Sequence, residues 1–507
     1  MPRPIPNDLG LAPTVRLVGD GRASLGDVPN CFVLFTRGFA AMKSSKLRQF
    51  GQQVKQFAAR FVQSTGQAIL GQVIPVDELE QWIREEVGKH RERTYPPLRT
   101  LMLFIEQVMG ADHSCQDAVA RGASQEVACG EVPRSLNTGA YCKARKRLPL
   151  ALVQRLSRTV AARMSERQPK EWKWRGREVK LVDGTTVSMP DTADNRKGFP
   201  LSNGQTEGLS FPLARLVGVV SLSCATVVDW AMGPYTGKQT GEAALLWTLR
   251  ECFKPGDVVI ADRLYASYFV IAWLMLLGVD VVMRQHQTRD TDFRRGKRLG
   301  ARDHVVEWER PSRPAWMDDV TYAGMPESLT MREVRTGGWT LVTTLTDAKV
   351  VSKPQLLDLY RSRWHVELDF RSIKDSIQMN VLRCESANMV RKEVAVHLLA
   401  YNLVRSVTAQ AATLARVLPR CLSFKAALQT LNAFMHTLRD CPARSLPQRH
   451  AILLTVIARL LIPKRPGRVE PRAVKRRPKP HRLLTKPRHV ERARLEKRQR
   501  RVVAAFA

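Results

Sequence analysis

Between Tyr360 and Lys374 the chain reads Tyr-Arg-Ser-Arg-Trp-His-Val-Glu-Leu-Asp-Phe-Arg-Ser-Ile-Lys. Tyr360, Arg363, Glu367 and Lys374 are separated by three, four and seven residues. At about 100° per residue, a continuous helix would gather all four within roughly 60° of one another. The stripe would carry a carboxylate, two cations and a phenol, which suits a phosphate and a metal ion; the plain alternative is a solvated face with ordinary ion pairs. Asp358 and Asp369 would fall on the opposite side. Two further acids stand where apolar strands end: Asp183 follows Val179-Lys-Leu-Val182, and Asp262 follows Val258-Val-Ile-Ala261. A carboxylate there is costly unless something pairs with it, and Arg263 could serve Asp262. Three converging carboxylates repel, by about 4 kcal/mol per pair at 4 Å and an effective dielectric of 20, so they take up protons or bind cations. An all-oxygen set without His or Cys selects Mg²⁺ or Mn²⁺. Two such ions can clamp the attacking and leaving oxygens of a phosphoryl displacement.

The flanking pattern indicates what must hold these residues. Glu178 to Met189 alternates and is rich in β-branched residues, and Leu213 to Asp229 reads as one or two more strands. Gly241 to Phe253 reads as a helix with Glu242, a further acid, near its start. Asp257 to Ala261 and Val279 to Met283 are expected strands on either side of a Tyr268 to Leu277 helix. Strands first, then strands alternating with helices, predict a mixed α/β sheet domain. Arg289 to Thr346 breaks the rhythm with short alternating segments and Trp308, Trp316 and Trp339, a β-rich insertion ahead of the Tyr360 helix. Upstream, Ser44 to Met164 has helical periodicity; Asn137 or Thr138 could cap a basic helix bearing Lys143, Arg145, Lys146 and Arg147, suited to a DNA groove.

Charge narrows the partners. The 507 residues hold 81 Lys and Arg against 47 Asp and Glu, a net charge of +34, which calls for a polyanion, with nucleic acid first. No apolar run approaches the roughly 20 residues of a spanning helix, so no membrane partner is expected. Nine cysteines without a Cys-x-x-Cys pair indicate neither a zinc site nor a disulfide framework and fit a reducing cytosol. The first forty residues, rich in Pro and Gly, lack a secretion signal. Lys464 to Arg501 carries 17 Lys and Arg against three Glu, a composition expected to stay disordered until it meets DNA.

Together these residues resemble a family. Tyr360, Arg363, Glu367 and Lys374, in the spacing Tyr-x2-Arg-x3-Glu-x6-Lys, match the YREK signature of the IS-four family of bacterial DDE transposases. Val182-Asp-Gly-Thr185, Pro190 to Asn195 with Phe199-Pro200, Gly237-Lys-Gln-Thr-Gly-Glu242 and Gly256 to Tyr265 follow in the expected order. The resemblance covers about Pro97 to Leu461. It implies a ribonuclease H-like core over 171–288 and 347–390 and a β-rich insertion over 289–346. It also implies a helical DNA-end-binding region over 43–170 and a helical region over 391–462, leaving a lead-in of 1–42 and a basic tail of 463–507.

By the same resemblance, Asp183, Asp262 and Glu367 would be the catalytic triad and hold two Mg²⁺, with Mn²⁺ able to substitute. Tyr360, Arg363 and Lys374 would contact the DNA end, and one of Trp308, Trp316 and Trp339 would stack on a flipped base, although a buried tryptophan is the simpler account of each. Lys143, Arg145 and Arg147 are further expected DNA contacts. The implied protein is a cut-and-paste transposase, cytoplasmic and nucleoid-associated, working on terminal inverted repeats and target DNA as a homodimer. A nuclease without strand transfer and an inactive or repurposed DNA-binding relative are the alternatives.

Overall fold

A computed structural model describes residues 70–463 and 483–506, apart from 90–93, 129, 131, 134 and 440–442. The expected lead-in, the start of the helical region and much of the basic tail therefore lie outside the described residues. Five helices come first: α1 (Val76–Val87), α2 (Pro97–Met109), α3 (Cys115–Ala128), α4 (Thr138–Arg147) and α5 (Leu150–Arg167). α2 has Pro at its start, where the missing N–H costs nothing, and is buried along nearly its whole length. Asn137 caps α4, its side chain accepting from the Gly139 N–H at 2.7 Å.

The sheet is built from β1 (Val179–Ser188), a short α6 (Ala193–Gly198), β2 (Leu213–Ser221) and β3 (Val227–Pro234), then α7 (Glu242–Trp247), β4 (Val258–Ala261), α8 (Tyr268–Leu276) and β5 (Asp280–Arg284). It continues through β6 (Lys297–Gly300), β7 (Asp303–Glu309), α9 (Asp319–Ala323), β8 (Ser328–Thr336) and β9 (Trp339–Thr343). All nine strands form one sheet in the order β3-β2-β1-β4-β5-β9-β8-β7-β6. β1, β4 and β5 run parallel, while β2, β3 and β9 are antiparallel to their neighbours. The strands after Arg289 thus extend the central sheet through β9.

Alternation along the strands gives the sheet two covered faces. Val179 and Leu181 of β1 and Val258 and Ile260 of β4 face one core, shared with α1, α2, α5 and the C-terminal helices. Val182, Val259 and Ala261 face a second core, filled by α7, α8 and the tryptophan-bearing segment. The upstream helices pack into the same apolar body as the sheet.

After the sheet come α10 (Lys353–Arg361), α11 (Trp364–Arg371), the long α12 (Ala387–Ala415), α13 (Phe424–Arg439) and α14 (Leu446–Ala458). Most of α12 is buried. Its fully buried Asn402 accepts from the Val227 N–H and donates to the Val227 carbonyl, both at 2.8 Å, so a side chain completes the start of β3.

Two expectations need correction. Tyr360 to Lys374 is not one helix. The N–H groups of Ser362 and Arg363 bond three residues back, to Leu359 and Tyr360, which tightens the chain between α10 and α11. Ser372–Ser376 is then a π turn, with the Ile377 N–H reaching the Ser372 carbonyl five residues back. A uniform 100° step therefore cannot describe the stretch. The end of the tail is not irregular either: Arg488–Phe506 is a helix, α15. It starts after the last proline of the chain and is composed of strong helix formers.

Candidate active site

The parallel pairing of β1 with β4 decides the geometry. Val182 lies opposite Ala261, so the next residues come side by side: Asp183 inside β1, which runs on to Ser188 instead of ending there as the sequence suggested, and Asp262 just past the end of β4. Both continue the register of residues facing the first core. α11 packs on that face: Phe370 lies against Gly218 of β2, where an added Cβ would be 3.0 Å from its ring. Arg363, just before α11, reaches both acids of interest, with its guanidinium 3.7 Å from Asp183 and 2.7 Å from Glu367. Asp183, Arg363 and Glu367 thus form one ion-paired group, with Asp262 next to Asp183.

The first acid is under electrostatic stress. Burial pushes the Asp183 carboxyl up to about 6, with Asp262 and Glu242 adding to the rise, while the Gly184 N–H at 2.8 Å and Arg363 hold it down. Asp262 accepts from the Leu264 N–H at 2.8 Å. Arg263, the alternative partner read from the sequence, is exposed. Among the described residues no ion pair joins it to Asp262. On the opposite face, Glu242 at the start of α7 accepts from the Tyr265 hydroxyl at 3.0 Å.

The donor chemistry fits a hard divalent cation: oxygen ligands alone, one of them desolvated and short of positive charge. Among the described residues, however, no three acids, histidines or cysteines already stand close enough to share an ion. Glu367 is turned to Arg363 instead of to Asp262.

The other expected site residues separate clearly. Tyr360 is half-buried, and its ring lies 5.4 Å from that of Trp339. Burial raises its hydroxyl pKa, and both Arg363 and Asp262 act on it. Lys374, beyond the π turn, is half-buried, and the carboxylate acting on it is its neighbour Asp375. Trp308 is only 2% exposed; its indole N–H donates to Glu333 at 2.8 Å and Arg289 covers its ring. That residue is committed to the core. Trp316 is exposed and packs edge-on against Trp247 and Phe269. Of the three tryptophans, Trp339 is the one beside Tyr360.

On α4, Lys143 and Arg147 are exposed, but Arg145 is not. Its guanidinium lies 3.0 Å from the Cys115 sulfur and over the Phe104 and Tyr141 rings. The expectation that Arg145 reaches DNA is corrected on this ground: one turn after buried Tyr141, it shares the inward face of α4. Sequence reasoning gave Tyr265 no role; its place three residues after Asp262 was the available signal.

Residues 174–403 match the family described as Transposase DDE domain. The chain is 27% identical over 354 residues to the transposase InsG of insertion sequence element IS4 from Escherichia coli K12, an alignment spanning 67% of this chain and 76% of that protein. A solved piggyBac transposase synaptic complex with hairpin DNA aligns over 80% of this chain and 87% of its own at 10% identity. Its TM-score of 0.40 is too low to bear on fold or mechanism. Asp183, Asp262, Arg363 and Glu367 all lie within the matched segment, and the family match together with the likeness to InsG supports a DDE transposase of the IS4 kind.

Proposed function

We propose that the protein is a cut-and-paste DNA transposase that binds the terminal inverted repeats of its element, cleaves the ends and joins the freed 3′-OH groups to target DNA. The observation that carries this is the juxtaposition of Asp183, inside β1, and Asp262, just past the end of β4, with Arg363 linking Asp183 to Glu367. The strand order β3-β2-β1-β4-β5, with three antiparallel strands followed by parallel ones, supports reading this part as a ribonuclease H-like core over 171–288 and 347–390. The strands of 289–346 are then the insertion, and 43–170 is the end-binding region.

The divalent ions that this domain type uses, Mg²⁺ or Mn²⁺, would be held by Asp183, Asp262 and Glu367 and would activate water or a 3′-OH while stabilising the departing oxygen. The chain's own residues do the rest. Arg363 neutralises the acids while no DNA is bound. When a DNA phosphate enters, the guanidinium has a competing anion, and Glu367 is freed to turn toward Asp262. Lys374 adds a second cation along the path of the backbone. Tyr360 and Trp339, whose rings pack against each other, would supply the aromatic surface for a terminal base. Because the nucleophiles are water and 3′-OH, no bond forms between protein and DNA. Each end needs one such centre, so two ends are paired by a homodimer.

The test is strand transfer. Purified protein, Mg²⁺, an end duplex with its 3′-OH exposed and a supercoiled plasmid should yield plasmid carrying the end. Cleavage of the end without any joined product would support a nuclease instead.

A further inference from the structure

One further acid stands near this centre. Glu242 reaches the sheet from the face opposite Asp183. The even-numbered residues of β1 face the second core, as Val182 does, and Gly184 continues that register. A side chain at 184 would overlap the Glu242 carboxylate, which packs directly against the glycine backbone. The same carboxylate takes the O–H of Tyr265 at 3.0 Å. Tyr265 is completely buried, and its N–H returns to the Asp262 carbonyl at 3.3 Å. Glu242 therefore touches the residue after Asp183 and, through one phenol, the turn that begins at Asp262.

α7 is itself anchored from both sides. Leu245 packs over Gly233 of β3, and Arg215 of β2 donates to the Thr240 carbonyl at 2.5 Å, just before the helix. The loop carrying Glu242 is tied to the sheet that it supports.

We propose that Glu242 is a positioning residue: through Gly184 and Tyr265 it clamps the middle of β1 and the turn after β4 from beneath, fixing the separation of Asp183 and Asp262. The clamp rests on the reading of those two acids as the reaction centre. It acts through packing and an accepted hydrogen bond. Glycine at 184 is required because the carboxylate occupies the space that a side chain would fill.

The test uses the full-length protein and an end duplex, reading thermal melting, end binding and the dependence of cleavage on Mg²⁺ concentration. Glu242→Ala and Tyr265→Phe should slow cleavage roughly 10- to 100-fold and raise the half-saturating Mg²⁺, because small misplacements are expensive at a reacting centre. End binding should stay within about twofold of wild type, since Tyr265 is buried and the Glu242 carboxylate is taken up by Gly184 and Tyr265. Glu242→Gln, whose amide oxygen still accepts from Tyr265, should recover most of the lost rate. Gly184→Ala should lower the melting temperature, and adding Glu242→Ala to it should raise that temperature again by removing the overlap.

Wild-type cleavage by Glu242→Ala would overturn the clamp. So would a Glu242→Gln protein as inactive as Asp183→Asn, because charge rather than placement would then matter. Gly184→Ala melting like wild type would remove its geometric basis. Wild-type cleavage by Asp183→Asn would instead overturn the reaction-centre reading, whatever the Glu242 series gave.

Discussion

Asp183 illustrates how an active-site residue can work against the fold that holds it. Its carboxyl is pushed up to about 6 by burial and neighbouring acids, while an unfolded chain would leave it near the ordinary value of about 3.9. The folded protein therefore binds an extra proton between those values. The stability associated with that proton is full below the unfolded pKa and is lost as pH rises through about 6. Asp183→Asn should accordingly raise the melting temperature at pH 8 in EDTA, by a free energy on the order of 1–3 kcal/mol. The gain should shrink toward pH 4, and cleavage should be abolished. An Asn variant that melts below wild type at pH 8 would contradict the burial argument. Tyr360 makes the second prediction at this scale. As a supporting aromatic beside Trp339, it can lose its hydroxyl and still leave cleavage at the same bond. Tyr360→Phe should cut the end duplex, and denaturing gels of the wild-type reaction should contain no covalent protein–DNA band. The acids were legible in the sequence because a charge that breaks an apolar run is conspicuous, although only Asp262 follows a strand end and β1 continues past Asp183 to Ser188. Arg145 was not, because the direction in which a basic side chain points depends on packing: Tyr141, Phe104 and Cys115 draw it inward.

Sheet elements were easier to read than the helix that closes the site. Alternation and β-branching marked β1, and a short apolar run marked β4, but pairing between them could not be read from local pattern. The Tyr360 stretch failed the uniform-helix arithmetic because hydrogen bonds tighten at Ser362–Arg363 and loosen at Ser372–Ser376, a change that side-chain spacing alone does not encode. α11 is held from behind by Asp369, which is buried and bonded to Arg405 at 3.0 Å and Arg420 at 2.9 Å, with the Tyr401 hydroxyl at 3.0 Å. Removing that carboxylate takes the only acid from buried Arg405 and largely buried Arg420 among the ion pairs of the described residues. Asp369→Ala should cost about 3–5 kcal/mol in chemical denaturation, with cleavage lost through misplacement of Glu367. The tryptophans should divide in the same way. Trp308→Ala should cost roughly 3–5 kcal/mol by opening a cavity in the second core. Trp339→Ala should leave the fold closer to wild type and impair processing of the DNA end.

At the scale of the molecule, the chain carries a net charge of +34. None of the described helices is long and apolar enough to cross a membrane, and the basic surface has nucleic acid as its natural counterpart. α15 adds a helix exposed on nearly every side from Arg488 to Arg500, which can lie along phosphates without disturbing the core. Each phosphate it neutralises should add about −0.9 to the slope of log affinity against log salt on duplex DNA. Deleting 464–507 should therefore flatten the slope, and an unchanged slope would remove the tail from the DNA path. The central claim is that Asp183, Asp262 and Glu367 cut DNA with the help of a divalent ion. It is tested most directly by incubating wild type and Glu367→Gln with the element's end duplex plus flanking DNA, in Mg²⁺ and in EDTA. Wild type should cut at the element end only with Mg²⁺, while Glu367→Gln should bind the duplex and leave it intact. Cleavage by Glu367→Gln at the wild-type rate, or by wild type in EDTA, would contradict it.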